Sequence, residues 1–204
     1  LFYDYEGQKQ DLIRYMRETE DQLQILLCEL AAYLHNKDME INVWDRIIAF
    51  EGRMHEFIKA AYDYQDNTFH SHPGYYIDYF EMRLAQLQVL HNLHYEIKKI
   101  RKMPKQALVI ADYIMYMADY VVEMNIPDQQ IEKLEEISEQ MKQEELPKTR
   151  EEFEGRALLY HILMDLEEFL VYKKRFVNGL DEKKLRIYWK QEMEQKDSAN
   201  ELQK

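Results

Sequence analysis

The sequence predicts an all-α fold, a single-domain antiparallel bundle of five to six helices, and three observations predict it. Only 5 Gly and 4 Pro punctuate 204 residues, the composition of helices joined by short connections. Leu, Glu, Gln, Lys, Met and Ala, all good helix formers, are abundant. Apolar residues recur at helical spacing along each long segment. The most complete of these is Leu146–Phe176, LPKTREEFEGRALLYHILMDLEEFLVYKKRF. Pro147 stops what precedes it, Thr149 is placed to N-cap, and Glu152 follows at the capping-box distance. Phe153, Ala157, Tyr160, Met164 and Leu170 fall on one face, which is expected to point inward. Glu151, Glu152 and Glu154 crowd the first turn and Lys173, Lys174 and Arg175 the last, as the helix dipole favours.

The other elements follow in chain order. A first helix over Gln8–Asn36 carries Leu12, Met16, Leu23, Leu27, Leu30 and Leu34 on one stripe. A second over Asn42–Gln65 carries Trp44, Ile47, Ile48, Met54, Ile58 and Tyr62. The short connection between them, residues 37–41, predicts an antiparallel hairpin. DNTFHSHPG, Asp66–Gly74, reads as a loop. A third helix over Tyr75–Arg101 points Tyr76, Phe80, Leu84, Leu87, Leu90 and Ile97 inward. Met103-Pro104 breaks it, and Pro104 suits the first turn of a fourth helix reaching about Asn125. That helix is apolar nearly all round, so it is expected to be a buried central element. Asn125-Ile126-Pro127 is a second break. A polar fifth helix over Asp128–Gln143 turns in only Ile131, Leu134, Ile137 and Met141. The reading divides the chain into a bundle, residues 1–178, and a charged tail, residues 179–204, with a short helix through Leu185, Tyr188 and Trp189.

The net charge of −12 opposes nucleic-acid binding, which needs a basic footprint. Cys28, the single cysteine, lies beside Ile25, Leu26, Leu27 and Leu30 and reads as a small core hydrophobe; it offers no intramolecular disulfide. No apolar run reaches the roughly 18–20 residues of a membrane span. The nearest, ALVIADYIMYMADYVV over residues 107–122, is shorter and interrupted by Asp112 and Asp119. The chain starts at Leu1 with no Met, which is expected either from processing or from its being a fragment of a longer protein.

Catalytic and cofactor chemistry finds little support. A di-iron bundle needs Glu-x-x-His pairs, and none occurs at His35, His55, His91, His94 or His161. Glu51 with His55, His91 with His94, and His161 with Asp165 only approximate metal spacing, so no metal and no cofactor is assigned. Serine is scarce and there is no Gly-x-Ser-x-Gly, no Gly-x-Gly and no Walker A loop, so an enzyme is not expected. Charges set in apolar stripes are more informative. Arg83, Asp112, Asp119 and Glu167 are expected to form a buried ion-pair network, since an unpaired buried charge is costly. The other reading is an anion pocket. In it Arg83 or Arg156 holds a carboxylate and Tyr79, Tyr113, Tyr116 or Tyr160 covers its apolar part.

Three stretches carry a family resemblance: YYIDYFEMR (Tyr75–Arg83), IADYI (Ile110–Ile114), and above all LPKTREEFEGRALL (Leu146–Leu159). They resemble the C-terminal cytosolic domain of the putative aromatic acid exporter family, bacterial proteins with an N-terminal set of transmembrane helices. The likeness covers Tyr75–Phe176 in detail and Gln8–Gln65 by helix pattern. It implies a non-enzymatic cytoplasmic domain of a protein in the bacterial cell membrane, serving assembly, gating or ligand sensing. Its partners would be the protein's own transmembrane region, a further copy in a homo-oligomer, or a small aromatic acid. The competing readings are a stand-alone bundle that binds a metal or small aromatic ligand, and an adaptor that docks a basic partner through Gln129–Glu145.

Overall fold

The computed structural model describes residues 5–36, 42–68 and 74–190, and among them the chain forms seven helices and no strand. They are α1 (Tyr5–His35), α2 (Val43–Asn67), α3 (Gly74–Lys99), α4 (Ala107–Ala118), α5 (Asp128–Lys142), α6 (Arg150–Asn178) and α7 (Glu182–Tyr188). The all-α expectation is met, with seven helices in place of five to six. The 37–41 connection and residues 69–73 of the expected loop lie outside the described residues.

Cross-helix pairs set the directions. Arg53 Nε meets Glu18 at 3.0 Å and Arg46 meets Glu29 at 2.9 Å, so α2 runs back along α1 as the hairpin reading requires. His35 with Asp112 and Gln24 with the Val121 carbonyl lay the α4 region antiparallel to α1. α6 packs chiefly on α3, while α5 covers the flank of α6 and the end of α4. Leu23, Leu27, Leu30, Met54, Phe57, Phe80, Leu87, Leu90, Ile114 and Leu166 fill the centre. Burying a side chain of this size stabilises by about 1.5–3 kcal/mol.

Three sequence expectations are corrected. α4 is short and one-sided: Ala107, Ile110, Ala111, Ile114 and Met117 are buried, but Leu108, Val109 and Met115 are exposed. The chain leaves the helix after Ala118 and turns through residues 119–127, where Asn125 donates to Gln130 Oε1 at 3.0 Å. On α2, Trp44, Ile48 and Tyr62 face outward, leaving Val43, Ile47, Phe50, Met54, Phe57 and Ala61 as the inner line. On α6 the inward stripe is Gly155, Leu159, Ile162, Leu166, Phe169 and Leu170, whereas Phe153, Ala157 and Met164 are exposed. Leu170 faces inward as expected. The helix carries two apolar lines; α3 packs on one of them, and at its start Gly155 lets the α3–α4 link come close.

The start of α6 is built as the capping signature predicts. Thr149 is extended and accepts from Glu152 N at 3.1 Å, while Glu152 accepts from Lys148 N at 2.7 Å. α7 repeats the device with Asp181 accepting from Lys184 N at 2.7 Å. It delivers Trp189, only 2% exposed, into the bundle.

Candidate functional site

Two polar constructions sit on this frame, one inside it and one at its edge. The inner one centres on Arg83, whose side chain is 1% exposed. Its Nε donates to the Tyr79 hydroxyl at 3.0 Å, and Nη1 donates to Gln86 Oε1 at 2.9 Å. Tyr79 donates to Glu20 Oε1 at 2.9 Å, and Gln86 Nε2 donates to the Phe169 carbonyl at 2.8 Å. Glu20 also lies 3.7 Å from Nη2, which makes no hydrogen bond of its own. One guanidinium thus ties α1, α3 and α6 together. Burial pushes the Tyr79 hydroxyl well above the usual phenol range, so it stays a neutral donor.

A second buried group continues this one toward the end of the bundle. Tyr75 donates to Glu123 Oε1 at 2.6 Å and accepts from the Trp189 indole N–H at 3.0 Å. Tyr188 stacks on Tyr75 with ring centroids 3.9 Å apart. Lys173 donates to the carbonyls of Val122 at 2.6 Å and Glu123 at 2.7 Å. Burial raises the Glu123 carboxyl above its ordinary range, against the opposing pull of the Tyr75 hydroxyl.

The outer construction is a half-open cleft of about 270 Å³ between the α3–α4 link and the start of α6. Met103, Pro104 and Leu146 supply apolar surface. Lys102, Lys105, Lys148 and Arg156 supply four cations against the three carboxylates of Glu145, Glu151 and Glu152. Lys105 pairs with Glu144 at 3.6 Å and Lys148 with Glu145 at 3.8 Å, so on a chain of net charge −12 this is a place where cations gather with acids of equal number. Two nearby acids are already engaged. The Lys148 amide holds Glu152 below the usual carboxylate range, and the Gln106 side-chain amide, 2.7 Å away, does the same to Glu144. Arg156 is fixed by donation to the Glu145 carbonyl. Gly155 closes the floor, since a Cβ there would sit 3.0 Å from Pro104 Cγ and 3.4 Å from the Lys102 carbonyl.

The residues read from the sequence as ligand-binding are therefore not one pocket. Arg83 and Tyr79 lie together in the core. Tyr113 and Tyr116 pair on α4, where Tyr113 donates to the Gln130 carbonyl at 2.7 Å. Tyr160 is half-buried on α6, and Arg156 lines the cleft. Of the expected buried ion-pair network only Arg83 is buried. The Asp112 side chain is 75% exposed and meets His35 at 3.0 Å, and Asp119 and Glu167 are also exposed. The two Asp residues are one heptad apart, Asp112 on the outer face of α4 and Asp119 just past its end.

The partners that Arg83 does have, Glu20 and Gln86, escaped the sequence reading, as did Glu123 and Lys173. Glu20 lies between Met16 and Leu23 on α1. Lys173 shares a helix face with Leu166, Phe169, Leu170 and Phe176, so its burial was legible from spacing. Among the described residues no three His, Cys, Asp or Glu gather as metal ligands. His91 and His94 flank the Trp44 ring instead. Cys28 is half-buried, and burial raises its thiol pKa.

A helical domain with a polar core seam and a small basic-edged cleft, in which no described helix is long and apolar enough to cross a membrane, is the class of protein defined so far. Residues 9–174 match the family described as "Putative aromatic acid exporter C-terminal domain", and the chain belongs to that family. It is 27% identical over 167 residues to "Uncharacterized protein YqjA" of Bacillus subtilis (strain 168), an alignment covering 81% of this chain and 51% of that protein. The chain thus spans about half the length of this curated relative. A crystal structure of a putative membrane protein from Clostridium difficile 630 shares the fold, with a TM-score of 0.73 at 23% identity over 82% of this chain and 97% of that one. Both the Arg83 seam and the Arg156 cleft lie within the family match. α7 and Trp189 lie beyond it.

Proposed function

We propose that this chain is the non-enzymatic cytoplasmic domain of an exporter-type protein of the bacterial cell membrane, and that it senses a small carboxylate through the Arg156 cleft. The membrane half would come from the rest of a protein about twice this length, as in the relative it matches. One observation carries the reading: Leu146–Leu159, the stretch that carries most of the family resemblance, brings Lys148 and Arg156 to a cleft whose apolar surface comes from Met103, Pro104 and Leu146. Lysine and arginine suit a carboxylate, and the apolar surface suits the flat body of an aromatic acid. A volume near 270 Å³ fits a one-ring acid. Arg83 is a poor anchor for the same ligand, because its donors are taken up by Tyr79 and Gln86 and Glu20 faces it.

Crystals soaked in benzoate-type acids test the proposal. Density for the carboxylate beside Arg156 supports sensing at the cleft. Density elsewhere, or none at saturating acid, defeats it. In the full-length protein, Arg156→Ala is expected to change how efflux responds to the acid while leaving the amount of protein in the membrane unchanged.

A further inference from the structure

We propose that α7 is a lid on the end of the bundle, with Trp189 as its plug. It lifts as one piece about the link at residues 179–181 while α1 to α6 stay folded, and lifting admits water to the group of Tyr75, Glu123 and Lys173. Trp189 is buried, whereas no residue of α7 itself is, and Glu182, Lys183, Arg186 and Ile187 face outward. A helix of seven residues has no stability of its own, so α7 depends on the seating of its aromatic end. That seat is small and specific. Tyr188 stacks on Tyr75 with ring centroids 3.9 Å apart and stands edge-on to Tyr76 at 5.7 Å. Trp189 donates to the Tyr75 hydroxyl at 3.0 Å, and the Lys173 ammonium lies 5.9 Å from its ring. Leu180 and Leu185 pack, partly buried, against the core.

This seat can come apart without leaving an orphaned polar group. When the indole N–H leaves for water, Tyr75 still donates to Glu123 at 2.6 Å, and the accepting side of its hydroxyl turns to the water that enters. Opening therefore costs the burial of Trp189 and Tyr188 and spares the core. The side chains that close the bundle, Leu23, Leu87, Leu90 and Leu166 among them, belong to α1, α3 and α6. The family match likewise ends at residue 174, before α7 begins. What lies beneath the plug favours opening. Glu123 is half-buried, faced by Tyr75 and Arg83 of α3, Glu20 of α1 and Lys173 of α6, and its charged form gains from water.

Hydrogen exchange of the full chain, joined to tryptophan emission in a Trp44→Phe background, tests the lid. Trp189 is expected to emit as a buried indole, and the emission of a water-exposed indole in the folded protein would contradict a seated plug. Amides of α7 are expected to exchange roughly a hundredfold faster than the most protected amides of α3 and α6, at a rate that low denaturant barely changes, as a local opening requires. Equal protection in α7 and α6 would make α7 part of the core and overturn the lid. Trp189→Ala is expected to strip protection from α7 and leave α3 and α6 within about threefold of the parent. A loss that spreads through α3 and α6 overturns the proposal as well.

Discussion

Arg83 and Arg156 are the same residue type placed by the same kind of helix, yet they do opposite things. Arg83 points into the space between α1, α3 and α6, where Tyr79 and Gln86 are buried, Glu20 is mostly so, and the acceptors it meets are side chains of the fold itself. Arg156 points over the edge of the bundle, where other cations and a patch of apolar surface gather around open space. What separates them is not sequence context, since both sit beside aromatic or apolar residues. It is the packing partner: α3 packs on α6 around Arg83, whereas the start of α6 meets the α3–α4 link at Lys102 and Pro104. A buried arginine becomes a structural tie, because leaving it unpaired is costly. One at an edge keeps its charge available.

The contrast is broken most forcefully at Arg83. Arg83→Ala leaves Glu20 and Gln86 without their partner in the core, and is expected to cost about 3–5 kcal/mol in chemical denaturation. A loss below roughly 1 kcal/mol would mean that the seam is not structural. Gly155→Ala is expected next. Its new Cβ meets Pro104 Cγ at 3.0 Å, and the ring cannot rotate away. Overpacking costs about 1–3 kcal/mol, offset by up to about 1 kcal/mol of helix propensity, so a net loss near 1 kcal/mol is expected in the same assay. Thr149→Ala removes the N-cap of α6 and should also cost about 1 kcal/mol, while loosening the cleft that Glu152 helps to shape.

Glu123 sharpens the inner half of the comparison through pH. Its carboxyl is raised in the fold by burial, so the folded state prefers the protonated form. Ionisation above that raised value then subtracts stability, and the penalty disappears as pH falls back through it toward the ordinary carboxylate range. Glu123→Gln is accordingly expected to be more stable than the unsubstituted chain at neutral pH, with the difference closing on acidification. Denaturation midpoints measured between neutral and about pH 4 decide this; a difference that grows on acidification would reverse the sign.

Much of this was legible in the sequence, and what was not has a common cause. The α1 stripe, the Thr149 cap and the helical break before Pro104 depend on neighbours in sequence, and they were readable, whereas α4 ends at Ala118, well before the break read at Pro127. The direction of α6 depends on α3, far away in the chain. With apolar residues on two faces, spacing alone could not say whether Phe153 and Met164 or Leu159 and Leu166 would turn inward. Gly155 held the answer, because close approach of the α3–α4 link requires the residue without a side chain. Glu20, the partner of Arg83 on α1, was hidden for the same reason, whereas Gln86 stands one turn away on α3. Asp112 looked suitable on α4, but α4 turns it toward His35 and the surface. Trp189 was read as part of a short helix in a charged tail outside the bundle, and its N–H reaches a tyrosine more than a hundred residues earlier.

The distinction between the two arginines is tested most directly by following backbone amide resonances of the domain during titration with a benzoate-type acid, for the unsubstituted chain and for Arg156→Ala. Saturable shifts are expected at residues 102–106 and 146–156, with none around Arg83. They should vanish in Arg156→Ala, whose stability stays within about 0.5 kcal/mol of the parent. Shifts centred on Tyr79 and Arg83, or shifts that survive Arg156→Ala unchanged, would contradict the assignment of the cleft as the sensing site.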